Sequence, residues 1–315
     1  MIDVSDVKAA RARLRGHIRT TPVFEIDPAH VAPAARVWFK LEQLQHTGSF
    51  KVRGAFNRIR TAIEEGQLVV GGTGVIAASG GNAGLAVAYA AAEHGVTAQV
   101  YVPETAPPVK VKKLRALGAD VRQVGTKYAD AYETAIQRAE ETDALFCHAY
   151  DQPEICAGQG TIGLEIAEQT GGAADTVLVA VGGGGLLAGI AAALEGQARV
   201  VGVEPSTAPT LNTALASGGP VDVGVSGVAA DSLGASRLGG IAYDVAVRTG
   251  VGSVLVDDAH IVEARRRLWT DYRIVVEHGP ATAAAALFSG AYQPTEGERI
   301  VVVLSGANTD PSDLV

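Results

Sequence analysis

A chain of 315 residues, 47% hydrophobic with 38 glycines, can bury a large core and lies far from disordered compositions. Its net charge of −8 leaves no basic stripe to neutralise phosphates, which excludes nucleic acid as a partner; Arg11, Arg13 and Arg15, and then Arg265, Arg266 and Arg267, read as solvated helix faces. Two cysteines, Cys147 and Cys156, make neither a disulfide framework nor a zinc pattern, no presequence opens the chain, and no apolar run can span a bilayer, so no membrane partner and a cytoplasmic location are expected.

In chain order, Val37, Trp38 and Phe39 form a strand-like run that leads to the turn Gly48-Ser49-Phe50-Lys51, and a helical pattern follows. Residues 75–79 (VIAAS) read as a strand and 82–95 as a helix ending at Gly95. Next come a strand at 97–103 stopped by Pro103, a helix at 108–119, a strand at 120–125, a helix at 128–141 and the run 145–150 (LFCHAY). Residues 176–181 read as a strand, 182–185 as a glycine loop and 186–194 as a helix. A strand at 199–205, a helix near 258–271, a helical run at 280–288 and a strand at 299–306 complete the pattern. Alternation of this kind predicts parallel sheets covered by helices. With no low-complexity linker, two α/β lobes joined by more than one crossing of the chain are expected.

In open parallel sheets ligands sit beyond the carboxyl ends of strands. Four such ends carry unusual chemistry: the turn at Lys51, the loop Ser79-Gly80-Gly81-Asn82, the loop Gly182-Gly183-Gly184-Gly185, and Ser305-Gly306-Ala307-Asn308. Four consecutive glycines let backbone approach a ligand, and the helix start behind them suits a phosphate. Gly183, Gly185 and Ala188 also fit a dinucleotide fingerprint, with Glu204 about twenty residues on. Ser79 and the amides of Gly80, Gly81, Asn82 and Ala83 suit a carboxylate, although Ser and Asn are equally good helix caps. Of the seven lysines, Lys51 is the one wrapped by small or apolar residues, Gly48, Phe50, Gly54 and Ala55. Burial there would lower its basicity and make its amine a nucleophile toward a carbonyl.

A phosphate loop, a carboxylate loop and a semi-buried amine suit a phosphorylated aldehyde cofactor and an amino acid. The segment QHTGSFKVRGAFNRI resembles the Schiff-base segment of fold-type II pyridoxal-phosphate enzymes, in the serine/threonine dehydratase (threonine ammonia-lyase) group. TPVFE, APPVKVKKLRALGADV, AGQGTIGLEI, VGGGGLLAGI, GVEP and VVVLSGAN resemble further landmarks of that family, in order along nearly the whole chain. The resemblance implies an α/β fold with two parallel-sheet, three-layer lobes of the tryptophan synthase β-subunit-like class. Residues 1–52 and 149–315 would form the large cofactor-binding domain and 53–148 the small one, in a homodimer.

By the same resemblance, Lys51 carries the cofactor, pyridoxal 5'-phosphate, and acts as general base, with Phe50 beside the ring. Asn82 meets the phenolic oxygen, Gly182, Gly183, Gly184 and Gly185 hold the phosphate, and Ser305 meets the pyridine nitrogen. Ser79, Gly80, Gly81, Asn82 and Ala83 bind the substrate carboxylate. The implied reaction is β-elimination of L-threonine or L-serine to a 2-oxo acid and ammonia. A threonine synthase or cysteine synthase-like replacement on the same cofactor is an alternative, as is an NAD-dependent oxidoreductase.

The chain departs from the family in places. The usual Ser-Ser-Gly-Asn-His loop reads Ser79-Gly80-Gly81-Asn82-Ala83 here. Serine racemases place a second serine at Gly80 as an acid/base, so racemisation is disfavoured. Metal-binding relatives carry an aspartate near Thr210; here Glu204 stands without it, and no metal is expected. Glu277 resembles the family's Val-Glu-Pro acid, and either lines the site or caps a helix. The sequence stops soon after Asn308, so feedback control through a regulatory domain of the biosynthetic type is not expected.

Overall fold

The computed structural model describes residues 1–27, 32 and 35–314. Its elements run in chain order as α1 (Val4–Leu14), β1 (Val23–Ile26), β2 (Arg36–Leu41), α2 (Lys51–Glu64), β3 (Val75–Ala78), α3 (Asn82–Glu93), β4 (Ala98–Val102), α4 (Pro108–Ala116), β5 (Asp120–Gln123), α5 (Tyr128–Thr142) and β6 (Leu145–Phe146). They continue as α6 (Pro153–Gln169), β7 (Thr176–Ala180), α7 (Gly185–Ala193), β8 (Arg199–Pro205), α8 (Thr210–Ser217), α9 (Ala230–Leu233), α10 (Gly240–Thr249), β9 (Gly252–Val256), α11 (Asp258–Tyr272), α12 (His278–Phe288) and β10 (Arg299–Leu304).

Two sheets result. One has the order β1-β2-β10-β7-β8-β9, the other β5-β4-β3-β6. All pairings are parallel except β1 against β2. The βα alternation thus does not extend to β1, an antiparallel edge strand added beside the first parallel strand. Every residue of β3 and β7 is buried, as expected for strands covered by helices on both faces. The architecture is the α/β class with two parallel-rich sheets expected above. None of the described helices is long and apolar enough to cross a membrane.

Glycines set how the helices between the sheets meet. A Cβ on Gly158 of α6 would lie 2.5 Å from the carbonyl oxygen of Arg53 in α2. A Cβ on Gly189 of α7 would lie 2.2 Å from that of Cys156 in α6. The three helices therefore touch backbone to backbone, and this contact accounts physically for the landmark AGQGTIGLEI. It also seats α2, whose first residue is Lys51.

A buried charge network pins the same helix. Arg53 is fully buried and donates to Glu42 (Nε–Oε2 2.8 Å, Nη2–Oε1 2.7 Å) and to Glu165 Oε1 (2.7 Å). Lys40, also fully buried, donates to Glu165 Oε2 at 2.6 Å and to the Thr21 carbonyl at 2.7 Å. Composition pointed to Lys51 as the enclosed lysine; Lys40 is more enclosed still, because Glu165, from a remote part of the chain, pairs with it. The reading of the second arginine cluster as a solvated face likewise fails for Arg265. It is 2% exposed, donates to the Val276 carbonyl at 2.9 Å and pairs with Asp313.

Candidate active site

The turn before α2 is clipped onto the turn after β10. Phe50 N donates to the Ser305 carbonyl at 3.0 Å, and Ala307 N donates to the Gly48 carbonyl at 2.9 Å. A Cβ on Gly306 would come 2.8 Å from Glu277 Oε1 and 3.1 Å from Ser49 Cβ, so only glycine lets these segments close. Two of the four unusual strand ends are thereby joined at Lys51.

Lys51 is partly exposed; its Nζ donates to the Ala149 carbonyl at 2.6 Å and lies 5.1 Å from the centre of the Phe50 ring. Burial of the amine lowers its pKa from 10.5 to about 8. Ala149 leads into Tyr150, which connects the lysine to the third strand end. A Cβ on Gly183 would sit 2.3 Å from Tyr150 Cγ, and one on Gly185 would sit 2.4 Å from the Tyr150 carbonyl oxygen. Gly184 has φ +87°, the left-handed region that favours glycine. The tetraglycine is thus a bare backbone cradle, and the first-turn amides of α7 behind it have no partner within the helix.

The fourth end, the loop before α3, reaches the same place through Asn82. Its Nδ2 donates to Glu277 Oε1 at 2.9 Å, and its Oδ1 accepts from Asn308 Nδ2 at 2.6 Å. Asn308 N donates to Glu277 Oε1 at 3.0 Å. Glu277 is 8% exposed, and burial raises its pKa against the opposing effect of the Asn82 and Asn308 bonds. Of the two readings of Glu277, it faces Asn82 rather than capping α12 with its side chain. Ser305 is buried, and Ser79 Oγ accepts from Gly81 N at 3.2 Å.

Glu204 lies apart from this cluster in role. Its carboxylate accepts from Leu211 N at 2.6 Å, Asn212 N at 2.9 Å and Thr210 Oγ1 at 3.1 Å, committed to the first turn of α8 rather than to a ribose. Burial raises its pKa to about 7. The dinucleotide fingerprint therefore lacks its acidic partner.

Residues 148–151 are functional neighbours that the motif reading did not single out. Ala149 holds the lysine amine, Tyr150 packs on the glycines, and Asp151 accepts from Gly240 N and Ile241 N at 3.0 and 3.1 Å. The available signal was position: they follow the strand run at 145 and form a fifth strand end.

A backbone anion cradle, an amine of lowered basicity, a neutral hydroxyl at Ser305 and an amide at Asn82 match a phosphate, an aldehyde, a pyridine nitrogen and a phenolic oxygen. The residues present fit a phosphorylated pyridoxal. Comparison with known proteins points the same way. The family described as pyridoxal-phosphate dependent enzyme matches residues 14–306. The phenylserine dehydratase of Ralstonia pickettii is 38% identical over 311 residues, 98% of this chain and 94% of that protein. The L-threonine ammonia-lyase of Geobacter sulfurreducens is 37% identical over 314 residues, covering 98% and 76%. The structure of maize serine racemase superposes with a TM-score of 0.91 at 30% identity, covering 99% of this chain and 95% of that one.

Proposed function

The chain belongs to the fold-type II pyridoxal-phosphate-dependent enzymes, and from that premise we propose that it deaminates L-threonine, L-serine or both by β-elimination, giving a 2-oxo acid and ammonia. When bound, the cofactor supplies an electron sink for charge developing at the substrate's α-carbon. Lys51 would hold it, with Gly182–Gly185 on its phosphate, Ser305 at its ring nitrogen and Phe50 beside the ring. Asn82 Nδ2 donates to both Glu277 oxygens, at 2.9 and 3.1 Å, which fixes the amide beside the place the phenolic oxygen would take. Ser79 and the amides of 80–83 would take the substrate carboxylate.

The Lys51 amine, with a pKa near 8, is neutral in a useful fraction of molecules near pH 7, and the Ala149 carbonyl orients it. Once free, it can take the α-proton as general base. Ser305 is a hydroxyl and cannot hold a ring nitrogen protonated as a carboxylate would, which favours expulsion of a β-substituent over amino-group transfer.

The observation that carries the reading is the absence of any side chain at Gly80. Racemisation needs an acid on the face opposite Lys51, and Gly80 has no proton to give there. The likeness to a serine racemase is thus a likeness of scaffold, and loss of the β-hydroxyl remains the open course. The test is 2-oxo acid release across a panel of β-hydroxy-α-amino acids, with the chirality of unreacted substrate followed in parallel. Release of 2-oxo acid without inversion is expected; inversion without release would overturn the proposal.

A further inference from the structure

Four consecutive glycines have no side chains with which to fix the direction of their amides. Their carbonyls are held from outside instead. Thr210 Oγ1 donates to the Gly182 carbonyl at 2.5 Å, and Gly239 N donates to the Gly183 carbonyl at 3.0 Å. A trans peptide points its C=O and its N–H in opposite directions. Each carbonyl pinned in this way turns the next amide, Gly183 N or Gly184 N, toward the other side of the loop. Neither amide has a hydrogen-bond partner among the described residues, which leaves both for an anion.

One of the two outer donors is a side chain. Thr210 is the first residue of α8 and is fully buried, yet no side-chain bond caps that helix. The hydroxyl turns instead to the end of β7, 28 residues away in the chain. Glu204 stands behind it: by accepting from Leu211 N and Asn212 N it fixes the first turn of α8, and hence the place of Thr210. Glu204 Oε1 also lies 3.1 Å from the Thr210 hydroxyl. A hydroxyl carries one hydrogen, and the shorter contact, to Gly182, has the stronger claim on it.

We infer that Thr210 is a positioning residue for the cofactor phosphate: its hydroxyl holds the Gly182–Gly183 peptide so that Gly183 N–H faces the phosphoryl group. This rests on the reading above that the four glycines hold a phosphate. Valine has nearly the shape of threonine but would set a methyl against the Gly182 carbonyl and leave a buried acceptor unpaired. That peptide could then turn, because glycines on both sides of it oppose rotation least.

The test uses the protein stripped of cofactor and two probes, pyridoxal 5'-phosphate and pyridoxal, which has the aldehyde but no phosphate. Uptake of each is read from visible absorbance. The wild type is expected to bind the phosphorylated probe much the more tightly. In Thr210→Val that preference should fall about tenfold, the scale of one hydrogen bond to a buried group, while affinity for pyridoxal stays within about twofold of wild type. Thr210→Ser, which keeps the hydroxyl, should keep the preference. Thr210→Ala should behave as Thr210→Val does, so the outcome does not depend on how valine packs. A merely structural role would weaken both probes together. Equal loss for the two probes, or a preference unchanged in both the valine and alanine variants, overturns this inference while the wild-type preference keeps the parent reading intact. A wild type that binds the two probes equally removes both.

Discussion

Asn82 and Glu277, 195 residues apart in the chain, meet at 2.9 Å across the mouth of the two sheets. The bond decides which way the Asn82 amide faces, because Asn308 occupies its oxygen as Glu277 occupies its nitrogen. Replacing Glu277 with alanine strands Asn82 Nδ2 and Asn308 N. Turnover should fall about 10–100-fold, the scale of losing charge-assisted hydrogen bonds. A shift in the cofactor's absorbance maximum should accompany it, since Asn82 would turn. Glu277→Gln, which keeps one acceptor, should restore most of the spectrum. An unchanged spectrum in Glu277→Ala would refute this positioning role.

Lys51→Ala should leave a protein that no longer takes on a yellow colour and is not labelled by borohydride reduction, with turnover down by more than about 10³-fold. In the wild-type protein stripped of cofactor, uptake requires the neutral amine. Its rate should therefore rise with pH and be half-maximal near pH 8, where burial has brought the Lys51 pKa. Because that value lies below the ordinary 10.5, the unfolded chain holds more protons between the two. The contribution of Lys51 to stability should accordingly rise with pH across that window. Stopped-flow uptake across about pH 6–10 checks the first statement.

Arg53→Met leaves Glu42 and Glu165 facing each other without their shared cation. Breaking a buried network in this way costs about 3–5 kcal/mol, which chemical denaturation should show. Replacing Lys40, Arg53, Glu42 and Glu165 together by apolar residues should recover much of the loss, because Lys40, which also pairs with Glu165, then leaves no uncompensated charge behind.

Gly183→Ala places a methyl where the Tyr150 ring lies. Cofactor affinity should drop about 10–100-fold, in line with the cost of overpacking. Pairing it with Tyr150→Ala should recover part of that drop, measured as retained visible absorbance on dialysis. Additive losses in the double variant would mean that the clash with Tyr150 is not what excludes a side chain from this loop.

Burial raises the Glu204 pKa from its ordinary 4.5 to about 7. Between these values the unfolded chain has already lost the proton that the folded one keeps. The group's contribution is therefore fully present below 4.5 and declines as pH rises through about 7. Relative to Glu204→Gln, the wild type should lose up to about 3 kcal/mol over that window. Denaturation at several pH values checks the slope.

Sequence alone carried the features that depend on neighbouring residues. The period of apolar residues marks strands and helices, four adjacent glycines mark a bare backbone loop, and the Gly-Ser-Phe-Lys turn marks a lysine at a helix start; each is a local constraint on φ, ψ and side-chain volume. Tertiary structure decided the rest. Glu277 could be a cap or a site residue until its contact with Asn82 chose, and Glu204 could serve a ligand until the start of α8 claimed it. Lys40 and Arg265, surface charges by composition, are buried because Glu165 and Asp313 reach them from remote parts of the chain. Desolvation and ion pairing act through space, so their balance is set only once the fold has chosen which distant residues become neighbours.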